Sequence, residues 1–509
     1  MIKDLRVKSW LTQRNREGYS KPAEWSLHRK ALILGLGTVG VTVLTIWVTR
    51  LYADRFGSDD LSAVLIFRIY SSVLLAVSAL GMPIAVQRTT AYLMATPGRA
   101  GTSAVVGLAI GLTSIGAACL ACTLAAPVIA SFLKYPEASS LWKAFMLLTF
   151  TQALATMVSL LQIVRGRILE STLVTLASFG VAPVFSLKVW PTASLAFVII
   201  WSAIFAGAAA LPSLFSIYRW ALLNGIKDMM REARGLLQYG LPRVFASAIE
   251  PLLDLTLPWL ALMWGAGLVE AGSLAIGLAL LRPLNPITGV LNLILIPDSA
   301  AKAARSETLS QSSQMRRISE WSLHIGLFAT LQLTVWCDVL IVLWLGPSYA
   351  SAGPVVRLIT LSLAPSFIYG AVRGIIDGET AKPINTINLL ISLVALLAVS
   401  ASNLILREGI FVLAFAYLVS RMVLAGLTLR YALRVHALRF MRLHPVSAFV
   451  WSALLALVAW AVRALLPPDY AVWALVLLSP VSAIIFVAAM AGYKVEWANT
   501  IVSRLRLVS

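Results

Sequence analysis

The stretch QYGLPRVFASAIEPLLDLTLPW, residues 238–259, holds three charges, Arg243, Glu250 and Asp254, and three prolines, Pro242, Pro251 and Pro258. Its surroundings are apolar, and the run is long enough to cross a ~30 Å hydrocarbon layer as a helix. At about 100° per residue, Glu250 falls roughly −20° and Asp254 roughly +20° around the axis from Arg243. The three charges therefore share one narrow face. Near the middle of a bilayer each would cost about 2.5–3.5 kcal/mol on insertion scales. Such a face has to meet a water-filled cavity or polar partners rather than lipid. Two readings stay open: a functional cavity, or an internal structural network of ion pairs. The prolines suit a helix that kinks or bends.

Working outward, the chain has 509 residues, of which 59% are hydrophobic and 12% charged. A soluble domain carries about 25% charged residues. Apolar runs of spanning length recur from end to end, and the reading is an all-α polytopic membrane protein with about 14 transmembrane helices. The expected organisation is a basic tail over 1–30, spans 1–6 over 31–218, and an amphipathic linker over 219–236. Spans 7–12 follow over 237–429, a basic loop over 430–445, spans 13–14 over 446–493 and a tail over 494–509. The first two spans are expected at 31–51 and 63–94, and the tenth at 354–376.

The net charge of +19 is explained by topology. An even number of spans puts both termini on one side. That side collects 29 of the 41 lysines and arginines, against 7 on the other and 5 within spans. By the positive-inside rule both termini are cytoplasmic. A surplus that encodes orientation leaves no call for nucleic acid as a partner. The two basic amphipathic connections are expected to lie along the anionic inner leaflet.

Familiar motifs fit their surroundings poorly. GLGTVG, Gly35 to Gly40, matches a dinucleotide fingerprint in letters, but it sits inside an apolar span with no strand before it. Close helix packing through small residues explains it better. Cys119 and Cys122 form a CxxC in a small-residue apolar helix, and Cys337 stands alone. His28, His324, His436 and His444 show no ligand spacing. No catalytic triad, phosphate loop or metal motif is evident, so no cofactor is expected.

Other spans carry charge at similar depth. Arg282 lies in LLRPLNPITG near the middle of span 8, Arg421 near the middle of span 12, and Arg68 and Asp338 in the outer thirds of spans 2 and 9. Ser362, Ser366, Tyr369 and Arg373 form a polar stripe at i, i+4, i+7 and i+11 down span 10. The last two spans carry almost no interior charge and should be peripheral. Arg68, Arg243, Arg282 and Arg421 thus point to a cavity with a cationic tendency. Phosphate or diphosphate fits it, because guanidinium binds such groups bidentately and stays charged. Glu250, Asp254 and Asp338 are candidates for proton or Na⁺ coupling, with Arg243 released when its carboxylate partner is protonated.

The segment LLQYGLPRVFASAIEPLLDLTLPWLALMWGAGLVEAGSLAIGLALLRPL resembles the start of the second half of Wzx-type polysaccharide flippases, and ALGMPIAVQRTTAYLMA resembles their pattern at the end of span 2. These belong to the superfamily that also holds the multidrug and toxin extrusion (MATE) antiporters and the lipid II flippase. The resemblance implies two six-helix lobes in a V around a central cavity, plus two extra C-terminal helices. It implies an undecaprenyl-diphosphate-linked oligosaccharide as substrate, moved across a bacterial inner membrane for exopolysaccharide or O-antigen synthesis, with membrane lipids and polysaccharide polymerase or export proteins as partners. Span 1 carries no arginine before Arg50, unlike the lipid II flippases, which turns the expectation away from lipid II. A MATE-type cation or drug antiporter is the alternative within the fold. A membrane-embedded polymerase or ligase is the alternative of another class, but the short outward loops leave little room for it.

Overall fold

The computed structural model describes residues 27–93, 100–128, 135, 137–223, 228–282, 288–289, 291–292, 295–296, 299, 308–380, 382–403, 409–467, 470–493 and 495–506. All regular structure among them is helical. Most of the expected N-terminal tail and the later part of span 8 lie outside the described residues.

The first helix, α1 (Leu27–Ser78), contains the first expected span and the second as far as Ser78; the rest of the second, to Leu93, is a separate helix after a turn at 79–81. A straight helix of its apolar portion, Ile33–Ser78 at 46 residues, would be roughly 70 Å long. It breaks instead at Gly57, where φ is 83° and ψ is −171°, values closed to a side chain. The same device recurs where the second half of the chain begins. There α8 (Met229–Met263) turns into α9 (Leu268–Leu281) through Gly265, at φ 86°. Glu270 then accepts the Gly267 N–H at 3.1 Å and secures the new helix start. Residues 52–70 and 261–279 thus both turn at a glycine of positive φ.

The rest of the first lobe is α2 (Met82–Leu93), α3 (Ala100–Leu124), α4 (Ala138–Val164), α5 (Ile168–Leu176), α6 (Ala182–Val189) and α7 (Leu195–Leu223), with a π turn at Ala177–Val181 joining α5 to α6. The second lobe adds to α8 and α9 the helices α10 (Thr308–Leu345), α11 (Gly353–Thr360), α12 (Leu363–Glu379), α13 (Ile384–Ala401) and α14 (Ile410–Val435). Three helices follow: α15 (Pro445–Leu465), α16 (Ala471–Gly492) and α17 (Glu496–Arg506). Among the described residues, eleven helices are long and apolar enough to cross a membrane. The count is 12 when α11 and α12, bent by 46° at Leu361–Ser362, form one span. The doubled α1 and the shorter apolar α9 complete the expected set. This is a multi-pass membrane protein.

Packing follows residue size. In the first lobe Phe67 meets Trp142 and Phe145 edge-on, with ring centroids 5.2 and 5.6 Å apart. Trp142 Nε1 donates to the carbonyl of Cys122 at 2.8 Å, and Cys119 and Cys122 are free thiols inside this packing. Within GLGTVG, a Cβ on Gly37 would lie 2.2 Å from Thr172 of α5, so the motif serves close helix contact.

The last helices are peripheral. Of the apolar window in α16, 22% is buried, against 72% in α4. They hold on through α10. Phe328 stacks on Phe486 at 4.7 Å, and Arg317 binds Glu496 at 2.5 Å. The buried His324 receives a hydrogen bond from Trp497 Nε1 on Nδ1 at 3.2 Å, and its Nε2 lies 2.7 Å from the carbonyl of Leu443.

Candidate functional site

The charged face of α8 points into its own lobe for its two acids. Arg373 of α12 donates to Glu250 Oε2 at 2.6 Å. Arg421 Nη2 and the Tyr417 hydroxyl of α14 both donate to Asp254 Oδ1, at 2.7 and 2.9 Å. Asn385 of α13 extends the network, donating to Asp377 Oδ1 at 2.8 Å and to the Arg373 carbonyl at 3.2 Å. The Arg421 side chain is 5% exposed and Asp254 26%, whereas Arg373 and Glu250 keep 33% and 41%. The inner pair is packed; the outer pair is partly exposed.

Arg243 behaves differently. It donates to the Tyr239 carbonyl at 3.0 Å, and its guanidinium lies 3.7 Å from the centroid of the Tyr239 ring. The pairing expected between Arg243 and the carboxylates of α8 is not formed. Seven residues of helix advance about 10 Å, so Glu250 shares a face with Arg243 but is out of its reach. Both acids turn to arginines on neighbouring helices.

Across the lobe boundary, Arg68 of α1 and Arg282 at the end of α9 come within each other's field, beside the buried Tyr52. Both are half-buried. Neither forms an ion pair among the described residues. Two like charges, one from each lobe, thus lie near each other, and neither is paired with a carboxylate among the described residues.

Small residues let the lobes touch on either side of this level. Toward the outer turns, a Cβ on Gly272 of α9 would lie 2.1 Å from Ser62 Oγ of α1, and Trp344 of α10 donates to the Ile46 carbonyl at 2.9 Å. Toward the opposite, arginine-rich end, a Cβ on Gly81 would lie 2.3 Å from the Gly240 carbonyl oxygen, so backbone meets backbone. A cavity of about 110 Å³ sits behind that contact, lined by Leu75, Ala79, Gly81, Met157 and Ser247 among others. By chain order Arg68 lies between the two contacts in the first lobe; Arg243, Glu250 and Asp254 lie between them in the second.

Asp338 is not part of this group. It accepts from Arg357 of α11 and, at 3.0 Å, from Arg463 of α15, tying three helices together near the outer end. Two residues outside the candidate set prove central, Arg373 and Tyr417. Their signal was present: Arg373 ends the polar stripe of span 10, and Tyr417 precedes Arg421 by one helical turn.

No protein-family model and no curated protein sequence matches the chain. Solved structures do. The structure described as lipid II flippase MurJ in an inward closed conformation aligns with a TM-score of 0.69 and 13% identity, covering 91% of this chain and 99% of that one. An inward-facing multidrug resistance MATE family transporter of the MOP superfamily aligns at 0.61 and 14%, covering 80% and 98%. A eukaryotic MATE transporter aligns at 0.60 and 14%, covering 84% and 98%. The fold is that of the MurJ and MATE transporters. At such identities the likeness speaks for architecture, and it agrees with the two lobes.

Proposed function

We propose that this protein is a flippase of the Wzx type. It carries an undecaprenyl-diphosphate-linked oligosaccharide across a bacterial inner membrane by alternating access, supplying exopolysaccharide or O-antigen synthesis. The observation that carries this reading is the unneutralised pair Arg68 and Arg282, one from each lobe. A diphosphate between them would accept bidentate hydrogen bonds from both guanidinium groups and remove their repulsion. Binding would thereby draw the lobes together, a differential interaction of the kind a substrate-driven change of state needs. Arg243 would extend the cationic wall, while Arg421, already held by Asp254, would shape it.

Coupling to a proton or Na⁺ gradient would use Glu250 and Asp254. Protonating Glu250 would leave Arg373 with Asp377, 4.0 Å away on its own helix, as its remaining carboxylate and loosen its hold on α8. Asp338 has no part in this scheme, since both its arginines serve helix packing near the outer end. The charge split of 29 to 7 supports cytoplasmic termini. A MATE-type cation or drug antiporter of the same fold would need free carboxylates in the cavity. Here Glu250 and Asp254 are each bound to an arginine, while the cations Arg68 and Arg282 form no such pair among the described residues.

The test is export in cells that depend on this chain. Arg68→Ala and Arg282→Ala should each abolish delivery of the lipid-linked glycan to the outer leaflet with protein level unchanged. Normal delivery by both variants sinks the reading. Sensitivity to toxic cations on deletion, with normal glycan display, would favour the antiporter.

A further inference from the structure

A second cationic site lies apart from the lobe boundary. Between the start of α10 and the segment joining α14 to α15 is a cavity of about 200 Å³. Arg316, Arg439 and Arg442 line it, together with Ser312 and Ser313, and no carboxylate does. None of the three arginines forms an ion pair among the described residues. Glu320, one turn after Arg316 and within its field, is buried and does not line the cavity. Three guanidinium groups converging on one recess repel each other unless an anion joins them.

The walls are built rather than incidental. The segment leaves α14 through His436, whose Nε2 lies 3.1 Å from the Glu379 carboxylate and whose Nδ1 meets Ser312 Oγ at 3.3 Å. It ends at Leu443, whose carbonyl is held by His324. Ala437 and His444, at either end, both sit at φ 50°, a left-handed conformation that ordinary residues adopt only when their surroundings impose it. Just outside the recess Val435, Phe440 and Met441 expose 54%, 42% and 67% of their surface. Cations in a pocket beside exposed apolar side chains, at the end of a bundle of spans, match a lipid: phosphate in the recess, acyl chains along the apolar rim.

We infer that this cavity binds the phosphodiester headgroup of an anionic phospholipid. The site is independent of the Arg68–Arg282 level and of the transport reading built on it. Arg316, Arg439 and Arg442 contact the phosphate, with the Ser312 and Ser313 hydroxyls as further donors.

The test is a lipid titration of the full-length protein in detergent, read by native mass spectrometry. Phosphatidylglycerol, phosphatidylcholine and inorganic phosphate are the probes. Phosphatidylglycerol should bind at least tenfold more tightly than phosphatidylcholine, by an order-of-magnitude expectation of about fivefold per guanidinium engaged. The triple variant Arg316→Gln, Arg439→Gln, Arg442→Gln should lose that preference, and Arg167→Gln, at the same end of the other lobe, should keep it. Should the triple variant fail to fold, the unmodified protein suffices. In nanodiscs containing phosphatidylglycerol, amide exchange over residues 436–443 should slow on the order of tenfold relative to phosphatidylcholine alone. Equal binding of the two lipids, unchanged exchange, or equal protection by inorganic phosphate at the same concentration each overturns the proposal.

Discussion

Glu250 of α8 and Arg373 of α12, 123 residues apart in sequence, meet at 2.6 Å. With Asp254 and Arg421 one turn further along, they bind the proline-rich α8 to the helices behind it. The acids of α8 are thereby neutralised within the second lobe. The charge left over, on Arg68, Arg282 and Arg243, is positive. That imbalance, more than the number of buried charges, gives the lobe boundary its chemical preference.

Removing one partner of the inner pair should be costly. Arg421 is 5% exposed, and Asp254→Ala leaves it charged without a counter-ion, a loss of about 3 kcal/mol or more. The double change Asp254→Leu, Arg421→Met should recover most of this. Thermal unfolding in detergent, followed for all three proteins, measures it.

The outer pair should behave otherwise. Glu250 and Arg373 are 41% and 33% exposed, so water screens them, and Glu250→Gln should cost no more than about 1 kcal/mol. If Glu250 carries the coupling ion, that variant keeps its thermal stability while its transport stops responding to an imposed proton or Na⁺ gradient. Unaltered gradient dependence in reconstituted vesicles removes Glu250 from the coupling scheme.

Reversing one charge of the Arg68 and Arg282 pair gives a sign test. Arg282→Glu turns the repulsion with Arg68 into attraction across the lobes. Transport should be lost while the melting temperature rises, because the new pair holds the lobes without substrate. A fall in melting temperature together with loss of transport would point to misfolding instead.

Gly240 should tolerate nothing larger. A Cβ there would lie 2.6 Å from the Leu80 carbonyl oxygen, and backbone cannot give way as a flexible side chain can. Gly240→Ala should therefore separate the lobes at that end. A cysteine placed at Ser247, which lines the cavity behind the contact, should then react faster with a water-soluble thiol reagent.

Asp338→Asn separates packing from coupling at the third acidic candidate. Losing the charge that joins Arg357 and Arg463 should lower stability by about 1 kcal/mol. Transport per folded molecule and its gradient dependence should stay as they were. A changed gradient dependence at full stability would return Asp338 to the ion path.

Much of this was legible in the sequence. Apolar runs must become helices inside a bilayer, so the helical class and the spans could be read directly. Helical periodicity placed Glu250 and Asp254 on one face, and both do point the same way, into the second lobe. Their partners could not be read, because which arginine faces which acid depends on how α12 and α14 pack on α8. Arg373 stood outside the candidate set, although the stripe from Ser362 already put it on the inner side of its helix. The expected gap between the first two spans is continuous helix broken only at Gly57, since one residue with positive φ can redirect a chain as well as a loop does. The bend at Leu361–Ser362 had its signal in Pro365, which has no N–H to offer the Leu361 carbonyl one turn earlier.

The contacts of His324 carry one more consequence. Trp497 can only donate, so Nδ1 of the ring has to be its bare nitrogen, and the ring's proton must sit on Nε2, facing the Leu443 carbonyl. A single tautomer of one imidazole thus registers whether the chain's final helix is docked. Deleting α17 would free the ring to flip and would loosen its grip on Leu443, so changes at the very end of the polypeptide would be felt in the bend ahead of α15.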